Sequence, residues 1–291
     1  MAENGSRRIR LGMVGGGSGA FIGYVHRIAA RIDGDYDLVA GALSSRPEIA
    51  LESGKNIGLA PDRIYTSYEE MAKKEAARPD GIEAVSIVTP NNVHFGPAKA
   101  FLEAGIHVIC DKPLTSTLAD ARALAKIKPA KGAKFLLTHN YTGYPLVRQA
   151  RELVKSGALG KIRVVQVEYP QDWLTTPADP GNKQAAWRTD PKRSGAGGAI
   201  GDIGTHAYNL ARFITGLKTE AVSADLQSFV KGRKVDDNVH ILLRFAGGAR
   251  GMLWASQVAP GNENGLQIRV YGDKAGLNWR QDNPNQMWFT E

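Results

Sequence analysis

The sequence predicts an α/β chain with a doubly wound parallel sheet first and a second α+β domain with an open, largely antiparallel sheet. Three observations favour this organisation. A glycine-rich stretch joins a strand-length apolar run to a helical segment within residues 8–29. Strand-like and helix-like segments then alternate up to residues 134–140, as in parallel sheets. Beyond Gly216, strand-like segments follow one another, with Gly247-Gly248 as a hairpin turn.

The glycine-rich stretch has the pattern G-x-G-x-x-A, with Gly15, Gly17 and Ala20 in the three fixed places. The first glycine permits a tight turn, the second lets backbone N–H groups approach a pyrophosphate, and the alanine allows close packing of strand and helix. Ser18, Gly19 and Phe21 complete the loop and the start of the helix, where a phosphate is favoured. The alternative is a glycine-rich turn with no ligand. The flanking strand and helix favour a Rossmann dinucleotide site.

The end of the second strand-like segment, at residues 37–43, bears on the choice of dinucleotide. An acidic residue there bonds the ribose of NAD, whereas a nearby arginine accommodates the 2′-phosphate of NADP. The chain has Ser44, Ser45 and Arg46 instead of an acid, which favours NADP slightly over NAD. Ser45 as a helix N-cap before Pro47 is the competing interpretation.

Two further strand-like segments, at residues 83–88 and 106–110, are followed by polar residues. Ligands of doubly wound sheets bind at the carboxyl ends of the strands. We therefore take Thr89, Pro90, Asn91 and His94 as candidate cofactor contacts, against ordinary turn and capping chemistry. Asp111 and Lys112 follow the next strand, and a desolvated lysine there is usable as an acid, a base or a charge stabiliser.

Composition restricts the class of protein. The single cysteine, Cys110, excludes a disulfide within the chain, and it is interpreted as a small buried apolar residue. The formal net charge of +8 comes from scattered lysines and arginines without a nucleic-acid-binding motif, so no nucleic-acid partner is predicted. No export signal precedes the first strand and no run approaches a membrane span. We predict a cytoplasmic protein with no membrane partner and no metal.

The second half contains a strand at 162–169, then a long stretch at 170–194 without a pattern of its own. In that stretch Trp187 and Arg188 are candidate walls of a substrate pocket, or anchors of the loop. Asp202 and His206 are four residues apart in a segment with helical spacing, so both are predicted on one face of one helix. The glycines just upstream would let a ligand approach the backbone. No final element is predicted in residues 279–291.

Four motifs, GGGSGA, TPNNVH, DKP and GGAIGDIGTH, together resemble the Gfo/Idh/MocA family of NAD(P)-dependent oxidoreductases over essentially the whole chain. The family usually has EKP where this chain has DKP, which keeps the lysine in register. The resemblance implies that Lys112, Asp202 and His206 form a catalytic trio. It also implies that Asn140 and Tyr141, in the segment between the domains, reach the substrate.

The resemblance further implies a dinucleotide-binding domain at residues 1–139 and a substrate-binding and oligomerisation domain at 140–291. The sheet of the second domain is expected to form a homo-oligomer, a dimer or tetramer. Family members usually extend some tens of residues further, so a truncated C-terminus is expected. The predicted reaction is hydride transfer between NADP or NAD and a secondary alcohol or ketone of a sugar, cyclitol or sugar derivative. The alternatives are an NAD-dependent glycoside-cleaving enzyme and a non-catalytic nucleotide sensor.

Overall fold

The structure is a computed structural model that describes residues 7–179 and 181–291. Residues 1–6, at the start of the first predicted domain, and Pro180, in the predicted loop, lie outside the described residues. The chain separates into two compact units, Met1–Thr138 and His139–Glu291. Each unit has its own buried apolar core.

The first unit contains a five-stranded sheet in the order β2-β1-β3-β4-β5 among its described residues. All of its strand pairs are parallel. The strands are β1 (Ile9–Gly15), β2 (Tyr36–Ala42), β3 (Ala84–Val88), β4 (His107–Asp111) and β5 (Phe135–Thr138). The helices are α1 (Phe21–Ile32), α2 (Pro47–Asn56), α3 (Tyr68–Ala77), α4 (Phe95–Glu103) and α5 (Leu118–Leu124). This arrangement confirms the predicted doubly wound sheet.

The central strands of this sheet are apolar because helices cover both faces. Every residue of β3 is buried, as expected for a parallel strand that packs on both sides. Met13, Val85 and Phe101 are fully buried in or against the sheet. Cys110 is also fully buried, and burial raises the pKa of its thiol, which confirms the interpretation of an inert core residue.

The second unit contains a seven-stranded sheet in the order β12-β11-β10-β6-β9-β8-β7 among its described residues. Its strands are β6 (Val164–Pro170), β7 (Thr219–Gln227), β8 (Asn238–Phe245), β9 (Arg250–Ser256), β10 (Gln267–Tyr271), β11 (Gly276–Arg280) and β12 (Met287–Thr290). Its helices are α6 (Pro145–Lys155), α7 (Lys183–Arg188), α8 (Pro191–Ser194) and α9 (Thr205–Thr215). The sheet is antiparallel except for the parallel pair β6 and β9, which fits the predicted largely antiparallel sheet.

The core of this unit lies between the sheet and helices α6 and α9. Val147, Leu210 and Trp279 are fully buried in one cluster there. Val222 and Leu242, on β7 and β8, are 64% and 63% exposed, so the outer strands present apolar side chains to solvent. Val222 pairs with the buried Leu243 and so lies at the edge of the helix-covered side, whereas Leu242 lies on the opposite side, which is open at β8.

Two expectations for the second unit were wrong. The stretch 170–194 is not wholly irregular, because α7 and α8 lie in it, each opened by a side-chain cap: Asn182 for α7 and Asp190 for α8. The last residues do contain regular elements, since β11 and β12 pair with each other. Polar residues separate these two short strands, so the alternation of apolar and polar residues that predicts a strand is too short to recognise there.

Candidate active site

The glycine turn between β1 and α1 adopts a backbone conformation that requires its glycines. Gly15, Gly16 and Gly19 have φ angles of +81°, +76° and +78°, in the left-handed region that favours glycine. A Cβ on Gly15 would also lie 3.0 Å from the carbonyl oxygen of Val88. The chain thus turns sharply from the carboxyl end of β1 into α1.

Gly17 and Ala20 have structural neighbours that the motif does not predict. A Cβ on Gly17 would lie 2.7 Å from the carbonyl oxygen of Leu43, so Gly17 is required by the neighbouring strand end. The close packing assigned to Ala20 is made by Gly23, where a Cβ would lie 2.3 Å from the Cα of Gly16. Ala20 is the N-cap residue of α1.

Two side chains outside the motif hold the glycine turn in place. Arg27, near the middle of α1, donates a hydrogen bond of 2.8 Å from Nη1 to the carbonyl oxygen of Gly16. Ser53 of α2 accepts a hydrogen bond from the backbone N–H of Ser18 at 3.0 Å. Sequence reasoning missed both, because neither belongs to a local pattern around the turn.

The turn fits a dinucleotide pyrophosphate. Helix α1 begins without a side-chain cap and has no acidic residue in its first turn. Its first backbone N–H groups therefore face outward beside the glycines, where an anion is favoured by hydrogen bonds and the helix dipole. Phe21, the first residue of α1, is 64% exposed at this end.

The predicted ribose end lies just beyond β2. Ser44 Oγ accepts a hydrogen bond from the backbone N–H of Arg46 at 3.1 Å, so Ser44 orders this turn. The competing interpretation expected Ser45 to be the N-cap of α2. The N-cap is instead Arg46, whose side chain makes no capping hydrogen bond. Arg46 is exposed, with Glu48 3.9 Å away. A guanidinium and two hydroxyls are thus available where an acid would select NAD.

The polar segment after β3 is fastened to the loop after β4 by His94. This fully buried ring contacts the carbonyl oxygen of Pro113 at 2.7 Å and that of Thr89 at 3.0 Å. Burial lowers the pKa of His94, although the two backbone bonds oppose that shift. His94 therefore joins the loop after β3 to the loop after β4, where the other candidate cofactor contacts lie.

The other candidates of this segment remain at the strand end. Asn91 is buried and begins a single helical turn, Asn91–Val93, that follows Pro90. The Oγ1 atom of Thr89 is buried without a hydrogen-bond partner. A hydroxyl in that state is suited to a ligand, because an unsatisfied buried polar group costs free energy.

Asp111 and Lys112 lie at the carboxyl end of β4, and Asp111 is held by a buried network. Its Oδ1 accepts a hydrogen bond from Thr138 Oγ1 at 2.9 Å and lies 3.8 Å from His26 Nε2. The other ring nitrogen of His26 lies 2.8 Å from Ser86 Oγ. Burial would raise the pKa of Asp111, but His26, Lys112 and Thr138 together lower it. The residue before Lys112 is therefore a fixed carboxylate.

In the second unit, Asp202 is held by two donors. Its Oδ2 accepts hydrogen bonds of 2.9 Å from Arg188 Nε and of 2.9 Å from Gln257 Nε2. The guanidinium of Arg188 lies on the ring of Trp187, 4.3 Å from its centroid. Trp187 and Arg188 belong to the short helix α7, and Arg188, supported by the Trp187 ring, holds Asp202. Gln257 was missed, since it is 55 residues from Asp202.

The helical segment that carries Asp202 and His206 is not one regular α-helix. Ile200–Gly204 forms a π-helical turn, and α9 starts at Thr205. Such turns are frequent at functional sites.

The glycine segment before this turn is held by Asp236. Its carboxylate accepts hydrogen bonds from the N–H groups of Gly198 and Ile200 at 2.7 and 2.8 Å. A Cβ on Gly198 would lie 2.0 Å from the Asp236 carbonyl oxygen, so packing against Asp236 requires a glycine here.

His206 lies among aromatic rings of its own unit. Its ring is buried and packs edge-on to Tyr141, with 4.8 Å between centroids, and to His139 at 6.1 Å. The ring of Tyr169 belongs to the same cluster, with its centroid 6.2 Å from that of His206. Asn140, the other predicted substrate contact, is exposed. Tyr141 is therefore the predicted substrate residue that the fold places beside His206.

Comparison with known proteins decides the family. The family described as "Oxidoreductase family, NAD-binding Rossmann fold" matches residues 9–141, and the "GFO/IDH/MocA C-terminal domain" matches residues 147–278. The chain belongs to the Gfo/Idh/MocA family. This confirms the resemblance, and with it that the chain is an NAD(P)-dependent oxidoreductase of a family that acts on sugars and inositols.

Three Gfo/Idh/MocA proteins are similar over nearly all of the chain. An uncharacterized oxidoreductase of Bacillus subtilis is 38% identical over 98% of this chain and 73% of its own length. An oxidoreductase structure from Sinorhizobium meliloti is 57% identical, with a TM-score of 0.88 over 98% of this chain and 75% of its own. An inositol dehydrogenase homologue of Azotobacter vinelandii, complexed with NADH and myo-inositol, is 39% identical, with a TM-score of 0.90 over 98% of this chain and 73% of its own.

In the described parts of this family member, no helix is long and apolar enough to cross a membrane. Nor do the described residues hold a group of three or more histidine, cysteine or acidic side chains placed to bind a metal ion.

Proposed function

We propose that the protein is a dehydrogenase that oxidises a secondary alcohol of a cyclic polyol, a sugar or an inositol, and that it acts reversibly. The observation that carries the proposal is the pair of preorganised groups in the second unit: Asp202 fixed by Arg188 and Gln257, and His206 buried beside Tyr141. The Azotobacter relative complexed with NADH and myo-inositol supports the same class of substrate.

The dinucleotide, when bound, supplies the hydride acceptor. The first unit provides its binding residues: Gly15, Gly17, Ser18, Gly19, Ala20 and Phe21 for the pyrophosphate, Ser44, Ser45 and Arg46 for the ribose, and Thr89, Pro90, Asn91, Asp111 and Lys112 at the other strand ends. His94 positions the residues at these strand ends, because it joins the loop after β3 to the loop after β4. We propose that NADP is favoured slightly over NAD, because Arg46 stands where an acid would select NAD.

Each member of the proposed trio has a chemical role. His206 takes the proton of the reacting hydroxyl as general base, and Asp202 orients its imidazole and stabilises the charged form. Lys112 stabilises the alkoxide that develops on the substrate, because a fixed positive charge beside the developing negative charge lowers the activation barrier. Tyr141 and Asn140 bind other hydroxyls of the substrate, and Arg188 with Trp187 keeps Asp202 in place.

The test is a fluorescence titration with NADH and NADPH, followed by a sugar and inositol panel read at the nicotinamide absorbance. We expect turnover with at least one cyclic polyol. Lys112→Ala should abolish turnover and retain cofactor affinity within about threefold, while Lys126→Ala, an exposed lysine of the same unit, should retain both. A fully active Lys112→Ala enzyme would refute the assignment of Lys112. Cleavage of a glycoside without net change in absorbance would instead support the glycosidase alternative.

We further propose that the protein is a homo-oligomer through the outer strands of its second sheet. Val222, Leu226 and Leu242 are each at least half exposed there, which is unusual for apolar side chains on adjacent strands. Light scattering of the wild type and of Leu242→Asp tests this. A wild-type monomer would refute it.

A further inference from the structure

Beside His206, five polar side chains form one continuous hydrogen-bonded chain within the second unit. Trp173 Nε1 lies 3.0 Å from Gln171 Oε1, and Gln171 Nε2 lies 2.9 Å from Asn264 Oδ1. The same Oδ1 lies 2.5 Å from the hydroxyl of Tyr169, which in turn is hydrogen-bonded to the hydroxyl of Tyr141. The chain therefore runs from the indole of Trp173 to a phenol that packs on the His206 ring.

The direction of every bond in this chain is set by its first member. An indole N–H can only donate, so the side-chain oxygen of Gln171 must face Trp173 and its NH₂ group must face Asn264. The carbonyl oxygen of Asn264, which has no proton, then faces both Gln171 and Tyr169. Asn264 is fixed in the same orientation from its other side, where its Nδ2 donates to Gln281 Oε1 at 3.0 Å.

Tyr169 must therefore donate its single proton to Asn264. Its side chain is only 2% exposed, and its hydroxyl has Asn264 and Tyr141 as its bonded neighbours. Burial, together with Tyr141, raises the pKa of Tyr169, so the phenol keeps that proton at ordinary pH. The oxygen of Tyr169 is left with acceptor capacity alone toward Tyr141.

We propose that this chain commits the proton of Tyr141 to Tyr169, so that Tyr141 presents only lone pairs to the ligand and selects a substrate that donates a hydroxyl proton there. The positioning residues are Trp173, Gln171, Asn264 and Tyr169, and the residue that touches the ligand is Tyr141. A ligand with an ether, a fluorine or a carbonyl at this place puts acceptor against acceptor and is rejected. The identity of the ligand, a cyclic polyol, rests on the proposed function, whereas the polarity of Tyr141 does not.

One isosteric substitution reverses the chain. Gln171→Glu keeps an acceptor for Trp173 but removes the donor to Asn264, so the amide of Asn264 turns its NH₂ group toward residue 171 and Tyr169. Gln281 turns with it, so that its NH₂ group donates to the Asn264 oxygen and its own oxygen accepts from the hydroxyl of Tyr144. Tyr169 then accepts from Asn264 and donates to Tyr141, whose own proton is released toward the ligand. Asn264→Asp is the matched control. It adds the same negative charge to the same network, yet residue 264 still accepts from Gln171 and Tyr169, and the direction is kept.

The first measurement needs no ligand. The protein is prepared with ring-deuterated tyrosine at every position except 141, and the Raman doublet of the unlabelled Tyr141 ring, whose intensity ratio distinguishes a donating from an accepting phenol, is recorded. We expect a donating hydroxyl in the wild type and in Asn264→Asp, and an accepting one in Gln171→Glu. A Gln171→Glu spectrum like that of the wild type, or an Asn264→Asp spectrum that changes in the same way as Gln171→Glu, would overturn the proposed polarity.

The second measurement uses the NADH-loaded enzyme with myo-inositol and its monodeoxy-monofluoro isomers, in which fluorine cannot donate. In the wild type, one isomer should bind about 10- to 100-fold more weakly than myo-inositol, and Gln171→Glu should reduce that penalty to about threefold. Asn264→Asp should keep it. Equal penalties in all three proteins would overturn the selection of a hydroxyl donor. Failure of myo-inositol itself to bind would count against the proposed substrate class, and the Raman result would still decide the polarity.

Discussion

Arg188 holds Asp202 through a hydrogen bond of 2.9 Å between Nε and Oδ2, and the Cζ atom of its guanidinium lies over the Trp187 ring, 4.3 Å from its centroid. The side chains of Arg188 and Asp202 are 21% and 10% exposed, so the pair is largely shielded from solvent. A stacked, charge-assisted contact of this kind fixes both partners more firmly than a surface ion pair.

Arg188→Ala should therefore lower kcat by about 10- to 100-fold and leave cofactor affinity unchanged, because the carboxylate loses its charged donor and its fixed orientation. Steady-state kinetics with the polyol found active in the panel would measure the effect. Arg193→Ala, an exposed arginine in the next short helix, should behave as the wild type. Equal losses in the two variants would show that the effect is not specific to Asp202.

Contacts such as this mark the limit of what sequence patterns predict. The glycine turn, the strand ends and the Asp202–His206 spacing are local, so the motif and the hydrophobic periodicity predict them. Gln257 reaches Asp202 across 55 residues, and Gly23 meets Gly16 only because α1 crosses the turn. Gly17 is a further example. The motif assigns this glycine to ligand binding, but the carbonyl oxygen of Leu43 also leaves no room for a Cβ there. Packing between elements decides such roles.

Gly23→Ala should disrupt the glycine turn, although alanine is favoured in a helix by about 1 kcal/mol. Its Cβ would lie 2.3 Å from the Cα of Gly16 and 2.9 Å from the Gly16 carbonyl oxygen, and neither backbone atom can give way without moving the turn. We expect NADH affinity to fall at least about tenfold in a fluorescence titration, since the turn positions the anion-binding N–H groups. In Gly143→Ala, where no atom lies within 4 Å of the added Cβ, affinity should be kept.

Arg46→Ala tests the choice of cofactor. The exposed guanidinium stands beyond the end of β2 with Ser44 and Ser45, where a 2′-phosphate would gain a charge-assisted bond. We expect NADPH affinity to fall about tenfold and NADH affinity to change much less, as measured by paired titrations. Lys55→Ala, an exposed cation on the same helix, controls for a general loss of positive charge. A parallel fall for both cofactors would contradict the proposed NADP preference.

Glu75→Gln should destabilise the first unit by about 3 kcal/mol, because the buried Arg63 then keeps only the exposed carboxylate of Asp80, 3.6 Å away, as a counter-charge. Glu75 is 1% exposed and accepts hydrogen bonds from Arg63 Nη2 at 2.5 Å, Tyr65 at 2.7 Å and the N–H of Ile82 at 3.0 Å. Urea unfolding measures the change. Glu70→Gln, which breaks an exposed pair with Lys74 on the same helix, should cost less than about 1 kcal/mol.

His94 should make the stability of the first unit depend on pH. Burial lowers its pKa in the folded chain below the ordinary value of about 6.5, against the two backbone hydrogen bonds. Below about pH 6.5 the unfolded chain therefore binds the proton more readily than the folded chain. The stabilising contribution is complete above that pH and is lost as the pH falls toward the folded pKa.

Urea unfolding from about pH 8 down to pH 5 should thus show the wild type losing more stability than His94→Asn, which has no group to titrate there. His240→Asn removes an exposed histidine of the second unit and should retain the wild-type dependence. Parallel curves for the wild type and His94→Asn would show that the clamp between the two cofactor loops does not couple to protonation. A steeper loss in His94→Asn would reverse the sign of the argument. The expected flattening would tie both loops to one buried, neutral imidazole.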